Sequence, residues 1–170
     1  MKSVTCGWVQ QYRMQLSEGM MASCKIMQFP RTEADVHKFF TEQLGPLLVH
    51  HWDEETARTG QPHGLDVPAF MAAWEQRGIM VIMAFDGDTP VGFMMVYVFR
   101  PLFLNSTVMQ VERWYAAQDG VDKDMFDYLT AIVPAMGVSQ IHAIACDSRP
   151  VPKGVSTDAA DSYQMVRLAV

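Results

Sequence analysis

The stretch Ile79-Met80-Val81-Ile82-Met83-Ala84-Phe85-Asp86-Gly87-Asp88-Thr89-Pro90-Val91-Gly92-Phe93 carries the reading of the fold. Two apolar runs, Ile79 to Phe85 and Val91 to Phe99, flank the segment Asp86 to Pro90, whose Asp-Gly pair and proline are hairpin-turn chemistry. The runs are expected to pair antiparallel. Neither alternates with polar residues, so both faces of the sheet they form should be covered, with helices on the two sides.

Downstream, Thr107 to Ala116 reads as a third long strand. Val121 to Met136 follows as a helix whose Met125, Phe126, Leu129, Ile132, Val133 and Met136 form one apolar stripe, ended by Pro134 and Gly137. Gln140 to Ala145 returns as a strand, making a strand-helix-strand crossover with parallel outer members. A last strand is expected over Ser162 to Leu168.

Upstream, Asp66 is a helix N-cap with Pro68 in the first turn. Val67, Phe70, Met71 and Trp74 then repeat at helical spacing up to Gly78. His50 to Leu65 is polar, contains Gly60, Pro62 and Gly64 and shows no period, so it reads as a long loop. Thr32 with Asp35 resembles a cap, and a helix should start near Glu33 with Val36, Phe39, Phe40, Gln43 and Leu47 on one face. Gly45-Pro46 should break or kink that helix. Ser23 to Phe29 is a short strand closed by Pro30. Residues 1–22 have no clean period and read as an N-terminal extension, which leaves residues 23–170 as a single domain. The fold class is α/β in the α+β sense: a mixed, mostly antiparallel central sheet flanked by helices.

At 170 residues the chain is one domain's worth, and 49% hydrophobic against 19% charged residues supplies a core. The longest unbroken apolar run, Ile79 to Phe85, is far short of the roughly 20 residues of a membrane helix, so no membrane association is expected. A net charge of −6 works against binding a phosphate backbone, which makes nucleic acid an unexpected partner. Cys6, Cys24 and Cys146 lie far apart with no CxxC pair, pointing to a reducing compartment and neither disulfides nor a zinc knuckle. The amino terminus lacks the basic and apolar segments of a signal peptide, so a cytoplasmic location is expected.

The order of elements, and above all Ile79 to Phe93 with its strand, acidic-Gly turn and Val91-Gly92-Phe93, is similar to the GCN5-related N-acetyltransferase (GNAT) fold over about residues 23–170. Glu112-Arg113-Trp114-Tyr115 resembles that family's central strand, beside which a splayed gap admits the pantetheine arm of acetyl-CoA. The resemblance implies acetyl-CoA as cofactor, and Glu112 as a base acting through water. It places cofactor-binding residues at Ala116, Gln118, Gly120, Val121, Asp122 and Lys123. Two departures stand out. The family's Gly-rich cofactor loop is here Gln118-Asp119-Gly120-Val121-Asp122-Lys123-Asp124, with one glycine, no arginine and three carboxylates around the expected anion site. Like charges within about 4 Å cost on the order of 1–4 kcal/mol each near a surface. After Ala145 the family's helix with its aromatic acid is replaced by Asp147 to Gly154, which holds two prolines and cannot form that helix.

On the residues alone, Glu112 shares a strand face with Val108, Gln110 and Trp114 in regular alternation. It is a candidate base there, the alternative being an ordinary surface or interface carboxylate. Tyr115 is a candidate replacement acid, against simple packing. His50-His51-Trp52-Asp53-Glu54-Glu55 offers metal-competent side chains, but adjacent histidines are not the i, i+4 pair of a helical zinc site, so a solvated loop and no metal are expected. His37, His63 and His142 read as structural or exposed, and the 14 methionines as core filler rather than an adaptable binding surface. No Ser-His-Asp spacing, Walker loop or dinucleotide fingerprint occurs.

Two functions follow. The departures favour a member that has lost acetyl-CoA catalysis and serves as a binding or assembly component, through a protein partner or self-association. The family has phage-encoded members, and such an origin would place the chain in a host cytoplasm or a virion. The alternative is an active acetyl-CoA-dependent N-acetyltransferase acting on an amine, for which an acidic protein favours a basic acceptor.

Overall fold

The computed structural model describes residues 22–102, 105–143 and 150–152. Five strands form one sheet in the order β1-β2-β3-β4-β5: β1 Ser23–Ile26, β2 Ile79–Asp86, β3 Thr89–Phe99, β4 Thr107–Ala116 and β5 Val138–Ala143. The first four pair antiparallel and β5 runs parallel to β4. The expected final strand at Ser162 to Leu168, the segment Asp147 to Gly154 and the extension before Ala22 lie outside the described residues, apart from Pro150, Val151 and Pro152.

The hairpin that opened the reading is present. β2 and β3 pair from Ile79↔Tyr97 to Asp86↔Thr89, and the turn carries Gly87 at φ 58. Its all-apolar character has the expected cause. Val81, Met83 and Phe85, with Phe93 and Met95 of β3, face one helical layer; Met80, Ile82, Ala84, Met94 and Val96 face the other. On the second face lies α4, Val121–Ile132, extended by a 3-10 turn at Val133–Met136 and packed through Val121, Met125, Leu129 and Ile132. Met80, Met83, Met94, Met95, Met109 and Met125 are all buried, as core filling requires.

The first face carries the helices α1 Glu33–Lys38, α2 Gly45–Thr59 and α3 Val67–Glu75. The caps are as read. Thr32 Oγ1 accepts from the Asp35 N–H at 3.1 Å, and Asp66 Oδ1 from the Ala69 N–H at 3.0 Å. Two expectations are revised. Of the break or kink expected at Gly45-Pro46, no break occurs: α1 passes into a π-helical segment, Phe39–Leu44, and without interruption into α2, with Pro46 in its first turn where its missing N–H is tolerated. The widened turn brings the Phe40 carbonyl so close that a Cβ on Gly45 would stand 1.9 Å from its oxygen. His50 to Leu65 is likewise no loop up to Thr59, because α2 runs through it and stops at Gly60, in the left-handed conformation with its N–H on the Thr56 carbonyl at 2.8 Å. α2 buries Leu47, Leu48, His51 and Glu55, a helical repeat in which two members are polar.

Candidate functional site

β4 is interrupted where Glu112 sits. Met95 pairs with Arg113 but Val96 with Val111, so Glu112 is one residue too many on this strand, a β-bulge. The alternation expected for Glu112 therefore fails. Val111 and Trp114, three apart, share the α4 face with Met109, while Glu112 and Arg113 both reach the opposite side. Pairing to β5 among the described residues covers Thr107↔Val138 to Val111↔Ala143.

On that opposite side a cavity of about 600 Å³ opens between α2, α3, the segment joining them, and β3–β4. Leu48 and Trp52 of α2, Phe70 of α3 and Ile79, Phe93 and Met95 of the sheet give it an apolar interior. Its polar groups are Glu112, Arg113, Tyr97, Asp66, His51 and His63. Glu112 is half-buried and Arg113 exposed, so the charged end of the cavity faces solvent. Size and lining match the usual small-molecule site, mostly apolar with a few convergent polar groups.

Polar groups buried on α2 brace this cavity. His51, 3% exposed, has its ring edge-on to Phe93 at 5.7 Å and tilted against Tyr115 at 6.1 Å. Glu55, 6% exposed, is bound by Arg58 at 2.5 Å and lies 3.9 Å from His63 Nε2. His63 Nε2 is also 3.3 Å from Thr59 Oγ1, which donates to the Glu55 carbonyl at 2.7 Å. The chain after Gly60 is thus tied back to α2, and His63, Gly64 and Leu65 are held as a wall. The solvated-loop reading of His50 to Glu55 is corrected accordingly: the segment is helical, His51 is buried against the Phe93 and Tyr115 rings, and Glu55 is buried with Arg58 bonded to its carboxylate. Among the described residues no group of three or more His, Cys, Asp or Glu side chains is arranged to hold a metal ion.

The expected cofactor loop follows β4. Gly120, at φ 84, precedes α4, whose N-terminus has no side-chain N-cap. Gln118 is exposed and its carbonyl meets the Val121 N–H at 3.4 Å; Val121 itself is buried under the sheet. Ala116 ends β4, and the next residue's N–H bonds to the Val91 carbonyl at 2.8 Å. Of the three carboxylates, Asp124 does not face the anion site. It is 7% exposed and accepts from the backbone N–H of Ala22 at 3.1 Å, locking α4 to the start of β1. Its charge also adds to burial, the larger cause, in pushing the Cys24 thiol up to about 12. The Asp122 carboxylate accepts from the Lys123 N–H at 2.8 Å. The Lys123 ammonium is hydrogen-bonded to Asp127, which raises its pKa above the ordinary value.

The structure therefore brings Glu112 to a cavity and Gly120, Val121, Asp122 and Lys123 to a helix N-terminus. Tyr115 goes to the core instead, 9% exposed and stacked at 6.2 Å on Phe93. Arg113, Tyr97, Trp52, His51 and His63 were not singled out as site residues by the sequence. The uneven apolar spacing Met109, Val111, Trp114 was the available signal for the bulge that turns Arg113 inward.

No protein-family model matches the sequence, and no curated protein matches it significantly. Solved structures do. A ribosomal-protein-alanine N-acetyltransferase from Brucella melitensis is 18% identical with a TM-score of 0.59, over 87% of this chain and 99% of that one. A predicted acetyltransferase with acetyl-CoA from Clostridium acetobutylicum is 15% identical with a TM-score of 0.57, over 86% and 96%. An aminoglycoside acetyltransferase from an uncultured soil metagenomic sample, in complex with sisomicin, is 12% identical with a TM-score of 0.56, again over 86% of this chain, and 97% of its own. At such identities the likeness speaks for architecture alone, and on it the chain has the GCN5-related N-acetyltransferase fold.

Proposed function

We propose that the protein is an acetyl-CoA-dependent N-acetyltransferase whose amine acceptor occupies the cavity and yields its proton to Glu112. The observation that carries this reading is the bulge, which sets a half-buried carboxylate in the wall of a cavity. A base must lie within hydrogen-bond reach of the proton it takes, and Glu112 is the carboxylate on the sheet side of this cavity.

The backbone at α4 fits a diphosphate. A left-handed glycine leads into a helix start that no preceding side chain caps, so the positive end of the helix dipole faces outward, and a diphosphate there would displace the Gln118 carbonyl from the Val121 N–H and the Asp122 carboxylate from the Lys123 N–H. The backbone of Gly120, Val121, Asp122 and Lys123 would hold it, flanked by Ala116 and Gln118. Bound acetyl-CoA supplies an acyl thioester. Glu112 takes the ammonium proton of the acceptor, directly or through one water, and leaves a neutral amine with a free lone pair. The apolar cavity wall holds the rest of the acceptor and keeps water out. Tyr115 in this reading is a packing residue that supports Phe93 and His51.

A second reading, a binding or assembly component without catalysis, is favoured by one specific observation. The Asp122 carboxylate and Asp127 already engage the Lys123 amide and ammonium, two groups an incoming phosphate would use. Thermal unfolding with acetyl-CoA separates the two. A ligand at 100 times its Kd stabilises the fold by about 2.7 kcal/mol, a readily measured shift. No shift at millimolar acetyl-CoA leaves the second reading standing. Where a shift is seen, Glu112→Gln should lower kcat by roughly 10²–10⁴ with the KM for acetyl-CoA nearly unchanged. A kcat within threefold of the parent removes Glu112 from the chemistry.

A further inference from the structure

Resting on that reading, and deepening it, we infer that the acceptor is a free α-amino acid with an apolar side chain, recognised as a zwitterion by Glu112 and Arg113 together. In a regular strand, neighbouring residues point to opposite faces. The bulge cancels this at one place, so a carboxylate and a guanidinium adjacent in sequence line the same cavity. They do not neutralise each other or anything else described: among the described residues neither side chain has a hydrogen bond or ion pair. The other cavity-lining acid, Asp66, is committed to capping α3.

Two unengaged opposite charges side by side at the open end of an apolar cavity match one ligand chemistry. An ammonium group meets Glu112, a carboxylate one carbon away meets the planar fork of Arg113, and an apolar side chain enters between Leu48, Trp52, Phe70 and Met95. A peptide N-terminus or a simple amine would satisfy Glu112 and leave Arg113 without a partner.

The experiment is calorimetric binding of three probes to the full chain: L-phenylalanine, L-phenylalaninamide, which lacks the carboxylate, and 3-phenylpropionate, which lacks the amine. L-phenylalanine should bind at least about tenfold tighter than either, the scale of one charge-assisted hydrogen bond. Arg113→Gln should abolish its advantage over the amide, with Arg113→Lys recovering part of it. Glu112→Gln should abolish its advantage over 3-phenylpropionate. Equal binding of L-phenylalanine and its amide to the parent protein overturns the inference without any variant having to fold, and so does failure of L-phenylalanine to bind at 10-fold higher concentration than the amide requires. Acetyl transfer measured in parallel keeps the two proposals apart. Acetylation of the amide with equal kcat/KM sinks the amino-acid inference and keeps the transferase. Selective binding of L-phenylalanine without acetylation sinks the transferase and keeps the zwitterion site.

Discussion

Replacing Gly92 by alanine tests whether the start of α4 is seated on the sheet as tightly as the structure has it. A Cβ at this position would stand 2.9 Å from Val121 Cγ1, 3.0 Å from the Tyr115 carbonyl oxygen and 3.2 Å from Met125 Cε. The first contact is at least about 0.6 Å short of ordinary carbon–carbon packing. The Met125 terminus can swing aside. The Tyr115 carbonyl cannot, because it belongs to the β4 backbone paired to Gly92's own strand, through Phe93↔Tyr115 and Gly92↔Ala116. Val121 is branched at Cβ and fully buried, so relief has to come from lifting the first turn of α4. Overpacking of this kind costs about 2–3 kcal/mol, and alanine returns about 0.5–1 kcal/mol by restricting the unfolded chain. The net loss of about 1–2.5 kcal/mol corresponds to a Tm lowered by roughly 2–10 °C in a domain of this size. Differential scanning calorimetry of Gly92→Ala beside Gly64→Ala is the assay, since a Cβ on Gly64 meets nothing within 4 Å. Gly64→Ala should melt about 1–4 °C above the parent. If Gly92→Ala melts at or above Gly64→Ala, the seating of α4 has been misjudged. The same variant should weaken acetyl-CoA binding, because the amides proposed to hold its diphosphate ride on the turn that is lifted.

Gly45→Ala should be the more damaging glycine substitution. Its Cβ would fall 1.9 Å from a backbone oxygen in mid-helix, so urea denaturation should show a loss of about 3 kcal/mol or more. Asp122→Asn removes the carboxylate bonded to the Lys123 amide, and acetyl-CoA affinity by calorimetry should improve about two- to fivefold, the scale of one charge at a helix N-terminus. Cys24, buried and raised to about 12, should resist Ellman's reagent at pH 8 in the native protein and react on unfolding, read in a Cys6→Ser, Cys146→Ser background. Because its folded value lies above the unfolded 9.0, Cys24 contributes stability that is complete below pH 9 and drains away as the pH climbs toward 12. Cys24→Ala should flatten that decline in melting temperature.

The sheet was legible because its signals are local and redundant. β2 and β3 are apolar on both faces, the turn between them holds Gly87, and each helix N-cap at Thr32 and Asp66 sits one residue before the periodic run it starts. α2 was not legible because its buried stripe, Leu47, Leu48, His51 and Glu55, changes from apolar to polar halfway. A hydrophobic period ends at Leu48, although the helical period continues. The tertiary contacts of His51 with Phe93 and Tyr115, and the ion pair of Glu55 with Arg58 one turn further along α2, make those polar residues suitable for burial. Leu48, His51 and Trp52 of the cavity wall lie on that helix, so the cavity was missed with it. Glu112 was found as a residue but assigned to a regular strand, and a one-residue bulge leaves no mark except a skipped beat in the apolar spacing. The carboxylates of the 118–124 segment were counted by sequence distance. Asp124 lies two residues from Asp122 on a helix and so points the other way, into a contact with Ala22 some hundred residues distant in the chain.

The widened turn at Phe39–Leu44 leaves this helix with spare length. A π-helical turn carries an extra residue between two stretches of ordinary helix that keep their own phase. The chain there can be shortened by one, at exposed Thr41 or Glu42, and the coil rewinds to the normal pitch while Phe39 and Leu47 keep their seats on the sheet. Relatives of this protein that differ in length by a single residue before Gly45 are therefore compatible with an unchanged cavity, and an alignment that forces a gap elsewhere in that helix would misplace His51.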